Sequence, residues 1–319
     1  MKRIWVSFLL LFAVGVEGQT YPSKPIRIVV PYTPGGPADL LVRGMGQKLT
    51  ETWGQQIIVE NKPGANEIIA AQDVAKSPAD GYNYLLASDA VFSLNQYLYS
   101  RLAYDPAKDF TPVSRVVTAN LMLVARTDFP ASSVRELVDY ARKNPGKINY
   151  GSVGAGGVNH LAMAWFNTLN GLDMQHVPYK GLVQGLQDIM TSRLDVMFAV
   201  IGGAAPHLKA GRMKALAVSG KSRNALIAEV PTFTAAGFPD FDASFYFGLA
   251  APAGTPRDMI ARFAAESARI VNAAEFREKY LSNLGFEPVG DTPEQFAAFL
   301  RQDRALAEKK VRASGAKLD

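Results

Sequence analysis

The sequence predicts an α/β protein, and three observations carry that prediction. Nine short apolar runs with strand character recur along the chain, amphipathic segments of helical periodicity separate them, and two strand-to-helix exits are rich in glycine. Strands alternating with helices imply parallel sheets covered on both faces. At about 150 residues per domain, 319 residues suggest two domains.

The chain opens "MKRIWVSFLLLFAVGVEGQ", with Lys2 and Arg3 before an apolar run from Ile4 to Val16 and small or polar residues around Gly18. Residues 1–18 therefore read as a secretory signal peptide cut near Gly18 and Gln19. The run is shorter than the roughly 20 residues a spanning helix needs. No later stretch reaches that length, so the expectation is an exported, periplasmic protein with no membrane anchor.

The first strand, "IRIVVPY", passes through "TPGGPAD" into a segment whose Leu41, Met45, Leu49 and Trp53 line one helix face, with Gly54 as terminator. "QIIVEN" and "YLLAS" follow, the latter reaching Ser88 and Asp89. "NLMLVAR" comes next, then "KINYGS", which runs into "GSVGAGGVNH" and the helix-like "HLAMAWFNTLNG". "MQHVPY", "LDVMFAV", "MKALAVS" and "SFYFGLAAP" complete the strands. The final "TPEQFAAFLRQDRALAEKKVRAS" reads as a solvated helix with one core face. Two apolar segments, 118–126 and 241–254, are long enough to run through both halves of the molecule. They predict discontinuous domains, one of residues 20–121 with 245–319 and one of residues 122–244, hinged at two crossings. Phe241, Phe245, Tyr246 and Phe247 read as core packing that is compatible with the second crossing.

Several function classes fall away. The absence of cysteine excludes disulfides, thiol nucleophiles, thiolate metal sites and a lipidated cysteine. The net charge is +5, and +4 once the leader's two bases and one acid are removed; the basic residues are scattered, so no nucleic-acid face is expected. A dinucleotide fingerprint starting at Gly154 and Gly156 fails at Asn159, and a phosphate loop ending in "GKS" (220–222) has Ala215 where it needs glycine. No G-x-S-x-G surrounds Ser88, Ser152 or Ser219, and His160, His176 and His207 form no short metal pair. Neither an enzyme, a cofactor nor a metal is expected. The two glycine loops remain. Amide donors left over at a helix start, reinforced by the helix dipole, suit a small anion, and glycine lets it come close. A carboxylate fits such donors without a lysine; tight-turn geometry alone is the competing reading of either loop.

Taken together, "YPSKPIRIVVPYTPGGPADLLVR", "VENKPGA", "DGYNYLLAS", "GSVGAGGVNHLA", "HVPYKG", "LKAGRMKALAVSGKSR", "EVPTFTAAG" and "FGLAAPAGTPRDMI" resemble the Bug (TctC-type) family of extracytoplasmic solute receptors of tripartite tricarboxylate transporters. The resemblance spans essentially the whole chain after the leader. It implies a periplasmic binding protein type II-like fold: two discontinuous α/β domains joined by two crossover strands, closing like a Venus flytrap on a small carboxylate held by backbone amides and ordered water. It also implies a membrane permease as partner and no catalysis; a monomer is expected. A receptor that presents its loaded form to a membrane sensor is the alternative use of the same fold.

Carried over by that resemblance, the first loop contributes Thr33, Pro34, Gly35, Gly36 and Asp39, and the second contributes Ser152, Gly154, Gly156, Gly157 and His160. Ser88 and Asp89 sit where the family places a third pocket loop. Asp39 is expected to cap its helix rather than touch a ligand, and His160 to be a hydrogen-bonded structural histidine. Where many members carry small hydroxyl residues after the first glycine pair, G-T-S in the second loop, or Asp-Asn after the "LDVMFAV"-like strand, this chain has Pro37 and Ala38, then Gly156, Gly157 and Val158, and then Ala199 and Val200. Pro37, Ala38, Val158 and Ala199 thus join the candidate pocket and make it less polar. An unpaired polar group placed there costs roughly 1 to 3 kcal/mol, which predicts a ligand with an aromatic or aliphatic body.

Overall fold

The computed structural model describes residues 21–179, 181–220 and 222–318; the expected leader, 1–18, lies outside them. Two mixed sheets organise the chain. The first contains β1 (Ile26–Val30), β2 (Ile57–Asn61), β3 (Asn83–Ser88), β4 (Phe110–Ala119), β10 (Phe245–Pro252) and β11 (Phe286–Pro288), in the order β11-β4-β10-β3-β1-β2. The second contains β5 (Leu121–Ala125), β6 (Asn149–Ser152), β7 (Gln175–Pro178), β8 (Val196–Val200) and β9 (Lys214–Val218), in the order β7-β6-β8-β5-β9.

All nine expected strands form, and the sequence reading misses two. β4 carries Pro112, Ser114 and Arg115 within its apolar pattern; Pro112 pairs with Ala250 beside a register shift, where a residue without an amide is tolerated. β11 is only three residues long. The expectation of parallel sheets is corrected. β1 pairs parallel with β2 and β3, and β6 with β7 and β8. β10, however, runs antiparallel to β3 and β4, and β5 antiparallel to β8 and β9. β5 and β10 enter their sheets from the crossings, at the edge where β1, β3, β6 and β8 end, so each runs against its neighbours.

The crossings also differ in detail from expectation. The segment 118–126 is two strands rather than one: β4 closes at Ala119, Asn120 turns, and β5 opens at Leu121 in the other sheet. β10 belongs wholly to the first sheet, and residues 219–244 make the second crossing. Hydrogen bonds tie the two crossings together. Ser244 Oγ donates to Asn120 Oδ1 at 2.8 Å, and Leu121 N donates to Ser219 Oγ at 2.8 Å.

The strands alternate as pleated ribbons do. In the first sheet Ile28, Tyr84 and Leu86 face one core with Leu41, Met45 and Phe263, while Val29, Leu85 and Ala87 face another with Val74, Phe92 and Phe296. In the second, Leu121, Leu123 and Ala125 pack with Leu137 and Phe166, and Met122 and Val124 with Leu186 and Ile189. The helix Pro37–Trp53 buries Leu41, Met45 and Leu49 of the stripe its spacing predicts, leaves Trp53 half-buried, and ends on Gly54, whose amide donates to Thr50 O. Phe241, Phe245, Tyr246 and Phe247 are all buried. Phe241 stacks on Phe198 of the second sheet, whereas Phe247 meets Tyr32 and Phe286 of the first, so the cluster straddles the crossing.

The terminal helix, Pro293–Ser314, starts with a Thr292/Gln295 capping box and buries Phe296, Leu300, Ala307 and Val311. It touches both halves. Phe296 packs edge-on against Phe92 and Tyr246, and near the other end Ala313 O accepts from Thr168 Oγ1 on the helix Val158–Asn170 at 2.8 Å.

Candidate functional site

The two glycine loops are built alike. Each follows the carboxyl end of a parallel strand, β1 or β6, and leads into a helix: Pro37–Trp53 in one case, Val158–Asn170 in the other. Gly35 and Gly156 hold φ of +81° and +74°, a left-handed backbone that favours glycine. The residues after them, Gly36 and Gly157, are extended N-caps at φ −75° and −70°. Three positions into each helix a polar side chain reaches back. Asp39 Oδ2 accepts from Gly35 N at 2.8 Å, and His160 Nδ1 accepts from Gly156 N at 3.0 Å. A second tie fixes each helix start to a neighbouring strand: Asn61 Nδ2 donates to Asp39 Oδ1, and Asn159 Nδ2 donates to Phe198 O.

These ties change which amides are open to a ligand. Gly35 N and Gly156 N are engaged inside their own loops, and Gly36 N points at Thr33 O at 3.4 Å. Leu40 N and Leu161 N close the first helical hydrogen bonds, onto Gly36 O and Gly157 O. Pro37 has no amide. The donors that helix geometry leaves over are therefore Ala38 N and Asp39 N at one start, and Val158 N, Asn159 N and His160 N at the other. The glycines shape the loops, and the leftover donors lie on the residues just inside each helix.

The charges around these starts are fixed or absent. Asp39 is buried and paired with Arg43 at 2.9 Å. Burial pushes its carboxyl up, but Arg43, Gly35 and Asn61 more than offset this and hold it below the ordinary carboxylate range. His160 is buried against His176, the rings stacked with centroids 3.8 Å apart. Burial, then the neighbouring imidazole, lowers its pKa to about 4, so it stays neutral and can accept from Gly156. Ser152 is fully buried; its hydroxyl donates to Gly154 O at 2.9 Å and lies 2.6 Å from His176 Nε2.

The third loop is held by a residue that sequence reasoning missed. Glu67 is buried, and its carboxylate accepts from Tyr32 Oη just before the first glycine loop, from Ser88 Oγ, and from Ser88 N at 2.9 Å. Burial raises the Glu67 pKa above its ordinary value, opposed by these donors. Ala65, Asn66 and Glu67 all have positive φ, so the segment after "NKPG" is a strained turn that delivers Glu67 inward. No spacing or motif marked it.

The other candidates are dispersed. Thr33, Pro34, Gly35 and Pro37 are exposed, whereas Ala38 is buried. Ala199 is fully buried in the core with Met122 and Ala204 and offers no side-chain surface to a cleft. Asp89 and Val158, from opposite sheets, line one narrow cleft with Leu161, Trp165, Ser244 and Lys310. Its neighbour, a larger cavity of about 510 Å³, shares Asp89, Trp165, Ser244 and Lys310 and runs along the crossings to Asn120 and Gly220. None of residues 33–38 lines either space. Gly156 packs against Leu98, from the first sheet's side, and against Leu318, so the second loop sits where the halves meet. Among the described residues no group of three or more His, Asp or Glu is arranged to hold a metal, and no helix is long and apolar enough to cross a membrane.

A family profile described as "Tripartite tricarboxylate transporter family receptor" (TctC) matches residues 41–315. A UPF0065 protein of Bordetella pertussis is 34% identical over 301 residues, which cover 94% of this chain and 93% of that one. An R. palustris protein solved with adipate superposes with a TM-score of 0.85 at 32% identity, covering 93% of this chain and 100% of that one. MatC of Rhodopseudomonas palustris, solved with bound malate, superposes with a TM-score of 0.79 at 30% identity, covering 91% and 100%.

Proposed function

The chain belongs to the tripartite tricarboxylate transporter receptor family, TctC, and from that premise we propose that it is a periplasmic receptor that captures a small carboxylate between its two sheets and delivers it to a tripartite tricarboxylate-type membrane permease. The observation that carries this reading is the paired construction of the glycine loops. Two helix starts, one per sheet, present leftover amide donors and no reactive side chain, and the one cation paired at either start, Arg43, is spent on Asp39. Such donors suit an anion of one or two carboxylates. The adipate and malate in the similar structures support that class.

Pro37, Ala38 and Val158 line the helix starts with apolar atoms, which favours a ligand with an aliphatic or aromatic body over one with several hydroxyl or amino groups. Mass spectrometry of the small molecule released from protein purified without added ligand, followed by calorimetric titration of that compound, tests the reading. A carboxylate that binds saturably and is not turned over is expected. An uncharged or cationic molecule that binds alone, or steady turnover of the bound compound, overturns it.

A further inference from the structure

The cavity of about 510 Å³ beside the crossings lies away from the first glycine loop and has the opposite electrostatic character. Asp240, Asp242 and Glu287 stand at its exposed walls, and Asp89 and Asp303 lie further in. Asp303 is already engaged, accepting from Ser93 Oγ and Tyr246 Oη. Asp89 is engaged only in part, by the Ser88 side chain; its Oδ1 is buried and meets no hydrogen-bond partner among the described residues. An unsatisfied buried acceptor is costly. The two cations on the wall do not balance these acids, because Arg115 is paired with Asp291 at 2.9 Å and lies over the Phe299 ring, leaving only Lys310.

The lining sets five acids against one unpaired cation. Burial, then the charge of nearby Asp303, pushes the Asp89 carboxyl well above the ordinary range, with Lys310 opposing and Glu67 adding to the rise, so a cation seated beside Asp89 is what would hold it ionised. What the site lacks is a donor carrying positive charge. Trp165 and Phe245 supply apolar and π surface on which the stem of such a molecule, or its charged head, can rest. The volume falls within the roughly 300 to 1,000 Å³ usual for small-molecule pockets.

We propose that this cavity is a second binding site, adjoining the cleft that Asp89 shares with Val158 but lined by neither glycine loop, and that it takes an aliphatic primary ammonium compound whose N–H groups satisfy Asp89 Oδ1 and whose carbon chain lies along Trp165 and Phe245. A primary ammonium fits better than a quaternary one, because Asp89 needs a hydrogen-bond donor and not charge alone. A long diamine fits best: its second ammonium reaches Asp242 or Glu287 at the mouth.

The test uses 1,6-diaminohexane as probe and adipate, a dicarboxylate of the same chain length, as counter-probe, both titrated calorimetrically into the full mature protein. The diamine binds saturably, hexamethonium (its quaternary analogue) binds about tenfold more weakly, and saturating adipate leaves the diamine isotherm in place. Asp89→Asn weakens the diamine by about tenfold or more, since it removes the charge and retains the shape. Lys310→Met, at the half-exposed wall, strengthens it about two- to fivefold by removing a like charge. A lack of saturable diamine binding up to about 1,000 times the concentration expected of a micromolar ligand, displacement by adipate, equal binding of the quaternary analogue, or a weakening in Lys310→Met each overturns the proposal. Failure of adipate to bind at all bears on the carboxylate reading alone.

Discussion

Asp39 and His160 are unlike residues that perform one task, each accepting the amide of the glycine four positions earlier. The imidazole can do so only while neutral, which burial and His176 ensure down to about pH 4 against an ordinary 6.5. Between these values the unfolded chain takes up a proton that the folded one refuses. Stability is therefore full above the ordinary value and falls as the pH drops through the window towards the folded one. His160→Asn keeps an acceptor for Gly156 and removes the titration, so its melting temperature falls less than the wild type's between about pH 7 and about pH 4.5; an equal fall contradicts the assignment. Gly156 itself is doubly constrained, by its positive φ and by the Leu318 and Leu98 side chains against it. Gly156→Ala is expected to cost about 1 to 3 kcal/mol in urea unfolding, and an unchanged midpoint excludes that account.

At the scale of elements, the loops were legible because glycine, proline and the switch from strand to helix periodicity all lie within a dozen residues. The G-G-x-x-polar spacing at 35–39 and 156–160 was also on view. What spacing did not disclose is that Asp39 and His160 consume the glycine amides, since that depends on side-chain reach across the turn. Glu67 was illegible for a different reason: it reaches Tyr32 and Ser88 through three residues of left-handed backbone that no local pattern announces. β4 was hidden by Pro112, which sits beside a register shift against β10, and by Arg115, whose side chain is taken up by Asp291 and the Phe299 ring. The terminal helix was readable in both its cap and its core face. Gly248 of β10 leaves room for the Phe296 ring, which packs edge-on against Phe92 and Tyr246. Truncating that fully buried ring, Phe296→Ala, is expected to cost about 3 to 5 kcal/mol of folding stability by denaturant titration. A loss below about 1 kcal/mol means the helix is not anchored there.

At the scale of the molecule, the alternation of strands and helices was enough to give an α/β fold, but not the mixed direction of its sheets. Direction follows from where the chain re-enters each sheet after a crossing, a fact of three-dimensional path rather than of local sequence. The same crossings, joined by the Ser244–Asn120 hydrogen bond, place two helix starts on opposite halves with their amides unspent. On the proposed reading, a carboxylate that met both starts would favour whichever arrangement of the halves gives it more contacts.

Val158→Pro isolates the central claim. Proline is well suited to the first position of a helix, as Pro37 shows in the other loop, and Gly157 already has the extended backbone it requires. The substitution therefore deletes one leftover amide while the helix stands. Calorimetric titration with the natural carboxylate, or with adipate, should show affinity falling by about ten- to a hundredfold, the worth of one hydrogen bond to a charged group, with a melting temperature close to that of the wild type. Undiminished affinity in a folded Val158→Pro protein would contradict it.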